Sequence, residues 1–141
     1  MAEDQLWDVV ATSHLGTVAT IKRDGRPQLS DVSYLAGADR LIRFSTRTSL
    51  AKVHNLRRDP RISMKVTAPG GGGYAVAEGI AEFSAVAAEL DDATVEELIE
   101  VYRLIAGKEH PDWDDYRRAM VADGRLVVRF RADNVYGWVM G

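Results

Sequence analysis

The spacing of apolar positions changes repeatedly along the chain, and each change marks an element. Leu6, Val9 and Val10 recur at helical spacing and predict a short first helix. From His14 the period drops to two, and "HLGTVATIKRDGRPQLSDVSYL" predicts a β-hairpin turning at Asp24-Gly25, a dipeptide that accepts the positive φ of a tight turn. A second turn, "AGAD", leads to a half-buried strand in which Leu41, Arg43 and Ser45 alternate with Ile42, Phe44 and Thr46. "TSLAKVHNLRR" reads as a short helix with Leu50, Val53 and Leu56 toward the sheet, and it stops at Asp59-Pro60 because proline cannot continue the backbone hydrogen bonds. "RISMKVTA" then resumes the sheet.

The glycines of "PGGGGYAVAEG" predict a loop, followed by a long strand from Tyr74 to about Val86. They lack the Lys-Ser/Thr pair and following helix of a phosphate-binding P-loop. "DDATVEELIEVYRLIAG" is a helix with an Asp cap, Val95, Leu98, Ile99, Tyr102 and Ile105 on one face, and Gly107 as its stop. Pro111 opens a second helix, "PDWDDYRRAMVADG", closed by Gly124, and "RLVVRFRADNVYGW" ends the chain as a strand. No repeat, linker or low-complexity tract divides residues 1–141, so one domain is expected. About six strands with an inserted helical pair predict a mainly β (α+β) fold, a small barrel rather than a layered parallel sheet.

Composition narrows the chemistry. With 46% hydrophobic and 28% charged residues among 141, the chain is globular in type. No apolar run approaches the roughly 18 residues that span a bilayer, and "MAEDQLWDVV" has acids where a signal peptide carries positive charge, so no membrane role and a cytoplasmic location are expected. Cysteine is absent, which removes disulfides, thiolate metal sites and a cysteine nucleophile. His14, His54 and His110 lie far apart without ligand spacing, so no metal is expected. No GxSxG elbow is present, and the acidic clusters sit at helix starts, where dipole complementarity explains them. Redox chemistry, if any, belongs to a cofactor.

Charge is unevenly spread. Between Arg43 and Lys65 there are seven cations (Arg43, Arg47, Lys52, Arg57, Arg58, Arg61, Lys65) against Asp59 alone, a local +6 in a chain of net charge -3, leaving -9 elsewhere. The net charge argues against a general nucleic-acid partner. The basic island follows a strand end, where a helix N-terminus presents free N–H groups and where Thr46, Thr48 and Ser49 can donate. Two readings stand at this point: an anion site, with Lys52 leaning back toward the helix start, or a surface helix capped by a Ser or Thr.

The stretches "LGTVATIKRDGRPQLSDVSYL", "LIRFSTRTSLAKVHNLRRDPR", "YAVAEGIAEF", "HPDWDDYRRAMV" and "VYGW", in one order over nearly the whole chain, resemble the pyridoxamine 5'-phosphate oxidase-like split-barrel family. More narrowly they are similar to its mycobacterial-type branch that binds the deazaflavin coenzyme F420. The resemblance implies a split β-barrel of the FMN-binding type, a homodimer, and two cofactor sites at the subunit interface. Thr46 and Lys52 match the family's phosphate-binding Thr and Lys, and Ser45 falls where backbone and hydroxyl approach the ring system. Gln28 and Ser30 match the strand lining the deazaflavin, while Asn55 and Tyr74 match the pocket rim, with Tyr74 reaching in from the partner subunit. Leu50 stands where the family often has Arg and Asp31 where it often has Asn, and Arg47 is the candidate substitute for the missing Arg.

The function this implies is an F420-dependent reductase transferring hydride from the reduced deazaflavin to a small conjugated organic substrate, with no residue assigned as general acid. FMN is the competing cofactor, through an FMN-dependent enzyme of the same fold. A non-enzymatic F420 carrier is the rival from another class. F420 carries a phosphodiester and an oligoglutamate tail, to which Lys52, Arg47, Arg57 and Arg58 are complementary.

Overall fold

In the computed structural model, which describes residues 2–140, the Asp24-Gly25 turn closes the expected hairpin. Gly25 takes φ 86, and β1 (Leu15–Ile21) pairs antiparallel with β2 (Pro27–Ala36) from Leu15↔Ser33 to Ile21↔Pro27. With β3 (Leu41–Arg47), β4 (Arg61–Thr67), β5 (Gly73–Ile80), β6 (Glu82–Phe83), β7 (Arg125–Arg131) and β8 (Asn134–Val139), the described residues form an eight-stranded antiparallel sheet in the order β6-β7-β3-β2-β1-β4-β5-β8. The sheet curls into a half-barrel, a split-barrel architecture, because β5–β6 and β7–β8 are continuous in the chain yet lie at opposite ends of this order.

Those corners explain why eight strands appear where the period suggested about six. The run from Tyr74 breaks at Ala81, whose N–H donates to Pro60 O, and the last run breaks at Ala132, whose N–H donates to Arg40 O. A strand that changes partner at a corner keeps its apolar alternation, so the pattern alone hides the break.

The inner face is dry: Val18, Tyr34, Ile42, Phe44, Met64, Ala75, Leu126 and Val128 are fully buried. Helix α1 (Glu3–Ala11) adds Leu6, Val9 and Val10, and the Tyr34 hydroxyl donates to Val10 O at 2.5 Å. Helix α2 (Ala51–Arg58) buries Val53 and Leu56 in the same core. Leu50 departs from expectation, because it is the helix's N-cap residue and stays 40% exposed.

Helices α3 (Ala93–Ala106) and α4 (Trp113–Ala122) cover the outer face of β3 and β7 through a second cluster of Ala87, Val95, Leu98, Ile99, Met120 and Val127. Asp92 caps α3 by accepting from Val95 N at 2.8 Å, and Gly107 closes it at φ 68. The cap of α4 is Asp112, so Pro111 stands just outside the helix rather than opening it. A carboxylate joins α3 to the sheet: Glu97 accepts from Arg129 Nε at 3.0 Å and from Arg43 at 3.3 Å. Burial pushes Glu97 up, but its bonds to Arg129 and Arg43 and their charges outweigh this and hold it below the usual carboxylate range.

Beyond the part of β2 against which α3 packs, the outer face of β2, β1, β5 and β8 carries no helix. The ladder sets Leu29, Leu15, Tyr74, Tyr136 and Trp138 on this one face, with Leu15 64%, Leu29 63% and Trp138 55% exposed. Among the described residues no helix is long and apolar enough to cross a membrane.

Candidate cofactor site

Strand alternation at the end of β3 separates two neighbouring hydroxyls. Thr46 points inward and is 3% exposed, whereas Ser45 faces the outer side beneath α3 and α4. No side chain caps α2: Leu50 holds the cap position, so the Thr or Ser cap that the sequence allowed is not formed. The first N–H groups of α2 therefore keep their capacity to bind an acceptor. Lys52, in its first turn, directs Nζ back to within 3.5 Å of Thr46 Oγ1.

These groups form one end of a cavity of about 520 Å³. Its polar end is built by Ser45, Thr46, Lys52 and Arg125, with Asp31 and Ser33 along β2. Its roof is apolar and comes from the helical pair: Leu98, Val101, Tyr102 and Ile105 of α3, Tyr116 and Met120 of α4. A few polar groups at one end of an apolar hollow of this size suit a small organic ligand with an anionic group. Burial pulls the Lys52 ammonium below its ordinary range, and the nearby Arg125 guanidinium adds to that. Burial also pushes the Tyr116 phenol up to about 12, so it stays neutral, with its hydroxyl donating to Leu98 O at 3.1 Å. The Asp31 carboxylate accepts from Thr17 Oγ1 at 2.8 Å.

The residues singled out in the sequence divide among several places. Ser45, Thr46 and Lys52 line the cavity. Gln28 and Asn55 lie further along β2 and α2, in a wider groove shared with Lys22, Arg23, His54, Arg57 and Arg58. Asn55 is 7% exposed and works internally, its Nδ2 donating to Gln28 Oε1 at 2.8 Å and to Thr20 Oγ1 at 3.1 Å. Ser30 is half-buried on β2, between the stretches that line the groove and the cavity. Tyr74 is on the outer face of β5, with β1 and β4 between it and β2, and lines neither hollow of its own chain.

The basic island is less free than its sequence suggests. Arg43 is paired with Glu97 and Glu100, Arg61 with Asp59, and Arg47 lies 3.6 Å from Asp123. Arg47 does not line the cavity, and the guanidinium that does is Arg125, directly opposite Arg47 in the β3–β7 ladder. Arg125 was not singled out because its register partner belongs to a strand some eighty residues away, a pairing that no local pattern records. For α3 the sequence shows one apolar face, which partly packs, and nothing in a helical period says that one end of the face overhangs a hollow, while for α4 the sequence marks only the bounds.

The sequence profile of the pyridoxamine 5'-phosphate oxidase family matches residues 2–139. A conserved hypothetical protein from Mycobacterium tuberculosis is similar at 29% identity with a TM-score of 0.73, over 99% of this chain and 85% of that one. An F420 reductase is similar at 19% identity with a TM-score of 0.70, over 92% of this chain and 94% of that one. An FAD-binding protein from Mesorhizobium loti is similar at 17% identity with a TM-score of 0.66, over 97% and 94% of the two chains. At these last two identities the likeness is one of fold.

Proposed function

Because the chain belongs to the pyridoxamine 5'-phosphate oxidase family, we propose that it is a coenzyme F420-dependent reductase, acting as a homodimer on a small conjugated organic substrate. The observation that carries this reading is the half-buried Lys52, turned toward Thr46 at the uncapped start of α2 and opening on a cavity with an apolar roof. That donor set fits a phosphate: an ammonium, two hydroxyls and free helix N–H groups converge where only Asp31 among the lining residues is acidic.

In this reading Lys52, Thr46 and the start of α2 hold the phosphate, and Ser45 orients the adjoining part of the cofactor. The bound coenzyme supplies the hydride chemistry. Leu98, Val101, Tyr102 and Ile105 exclude water from the reacting face and hold the substrate close, which is where proximity and a dry surrounding give rate. The open groove with Lys22, Arg23, Arg57 and Arg58, which no carboxylate lines among the described residues, supports a long anionic tail running along β2 and α2.

The bare outer face supports the homodimer. Leu15, Leu29, Tyr136 and Trp138 form an apolar surface beside Asp31 and Ser33, so a second copy seated there would border the cavity and bring its own Tyr74 near the rim.

One observation favours FMN as a second reading: with Arg43, Arg47 and Arg61 each beside a carboxylate, the cavity itself offers charge for little more than one phosphate. Fluorescence titration of the purified protein with F420 and with FMN at equal salt decides between them. Tighter binding of F420, followed by turnover of a conjugated acceptor, is the expected result. Tighter FMN binding would replace the cofactor, and F420 binding without turnover of any acceptor would leave a carrier.

A further inference from the structure

Two residues of the cavity roof, Tyr102 and Tyr116, belong to a closed cluster of aromatic rings. Tyr102, His110, Trp113 and Tyr116 stand with every pair of ring centroids 5.3 to 5.7 Å apart, tilted or edge to face. The cluster is braced from behind. Arg103 stacks on Trp113 at 5.2 Å and its Nη2 donates to Glu109 Oε1 at 2.9 Å, while the Asp112 N–H donates to His110 Nδ1 at 2.9 Å. Rings locked by such packing hold the phenol groups they carry at fixed places.

The two phenols are used differently. The Tyr116 hydroxyl is committed within the fold, donating to Leu98 O at 3.1 Å. Among the described residues, the buried side-chain nitrogen or oxygen that lacks a hydrogen-bond partner is Arg125 Nε. The hydroxyl of half-buried Tyr102, which also lacks a partner among those residues, is therefore accessible rather than buried. Every other residue that α3 and α4 contribute to the cavity, apart from these two tyrosines, is apolar. Tyr102 thus gives the roof one free polar tip. A lone donor on an apolar wall orients what binds there, because a ligand with an oxygen at that place gains a hydrogen bond that its oxygen-free analogue cannot make.

We propose that Tyr102 is a substrate-contacting residue, its hydroxyl donating to the carbonyl oxygen of a planar conjugated ketone or quinone whose ring lies against the α3–α4 roof. The inference rests on the cavity being where the proposed reductase holds its acceptor, and it adds to that reading an oxygen on the acceptor and the residue that binds it. Hydride addition to the β-carbon of such a compound breaks the C=C π bond and forms an enolate with its charge on that oxygen, and a proton from solvent completes the reduction. A hydrogen bond from Tyr102 is stronger to the charged oxygen than to the starting carbonyl, so it lowers the barrier as well as fixing the pose.

1,4-Naphthoquinone and naphthalene share a ring system and differ in the two oxygens, and the chain has no cysteine to react with the quinone. Each is titrated into the cofactor-free protein and followed by heteronuclear NMR. Both should shift amide signals within residues 98–106, and the quinone should bind about threefold to tenfold more tightly, as one net hydrogen bond implies. Tyr102→Phe keeps the ring cluster, so it should leave the melting temperature and the naphthalene affinity unchanged while abolishing the preference for the quinone. Tyr116→Phe should keep the preference and lower the melting temperature, because that hydroxyl is bonded within the fold. In the cofactor-loaded protein, Tyr102→Phe should lower kcat by more than it raises KM. Equal wild-type affinities for the two compounds, a preference retained in Tyr102→Phe, or a wild type that binds neither would each overturn the assignment. A Tyr102-dependent preference in a protein that reduces no quinone with either F420 or FMN would defeat the reductase reading and leave the Tyr102 contact standing.

Discussion

The Asn55 side-chain amide donates to Gln28 Oε1 at 2.8 Å and so pins the last turn of α2 to the turn end of the β1–β2 hairpin. A second bond reaches Thr20 Oγ1 at 3.1 Å, and Asn55 Oδ1 accepts from Arg58 Nη2 at 3.1 Å. The residue that the family resemblance placed on the pocket rim is therefore first of all a buried clamp between helix and sheet.

Asn55→Ala should consequently lower stability, since it strips two acceptors of their donor in a site that is nearly closed to water. The expected loss is about 1 to 3 kcal/mol in denaturant unfolding. Cofactor affinity should fall alongside it, because Gln28 loses its orientation. A variant with wild-type stability and lost affinity would instead make Asn55 a direct ligand contact.

Lys52→Ala should separate binding from folding. A charge-assisted hydrogen bond contributes about 1.5 to 3 kcal/mol, so cofactor binding should weaken roughly tenfold to a hundredfold. Stability should hardly fall, and removing a cation that burial and Arg125 already disfavour can raise it. Isothermal titration together with melting curves checks both halves. Added salt should weaken binding to the wild type more than to the variant.

Tyr34 makes stability depend on alkaline pH. Burial pushes its phenol up to about 12 from 10, and its hydroxyl donates to Val10 O, so the fold needs the protonated form. A phenol raised in this way contributes its full stabilisation below pH 10, and the contribution is lost as the pH climbs from 10 to about 12, where the unfolded chain has released the proton and the folded chain still holds it. Two units correspond to on the order of 2 to 3 kcal/mol. Urea unfolding at pH 9 and pH 11 should show a smaller drop for Tyr34→Phe than for the wild type. Tyr116, similarly raised, leaves a residual slope in that variant.

Trp138→Glu should convert the proposed dimer to a monomer. Trp138 is 55% exposed on the helix-free face, opposite Tyr74 in the β5–β8 ladder, and a charge placed there would be buried unpaired on association. Light scattering at micromolar concentration should give twice the chain mass for the wild type and the chain mass for the variant. A monomeric wild type with cofactor present would remove the dimer. If Tyr74 serves the partner's site, Tyr74→Ala should weaken cofactor binding without changing the mass.

Features whose cause is local were legible along the chain. The Asp24-Gly25 turn, the Asp92 cap, the Gly107 stop and the alternation of β3 each arise within a few residues, and each stands in the structure where the chain chemistry put it. The positions of Thr46 and Lys52 at a strand end and a helix start followed from the same local rules. Whatever depends on partners distant in the chain was set by the folded sheet and helices. Folding split two long strands at the barrel corners, turned Leu50 away from the core, neutralised much of the basic island with Glu97, Glu100 and Asp123, and set Arg125 opposite Arg47. Local propensity is carried by neighbouring side chains and backbone, whereas register, charge pairing and the walls of a cavity arise from contacts between elements, and those exist only once the sheet has curled and the helical pair has closed over it.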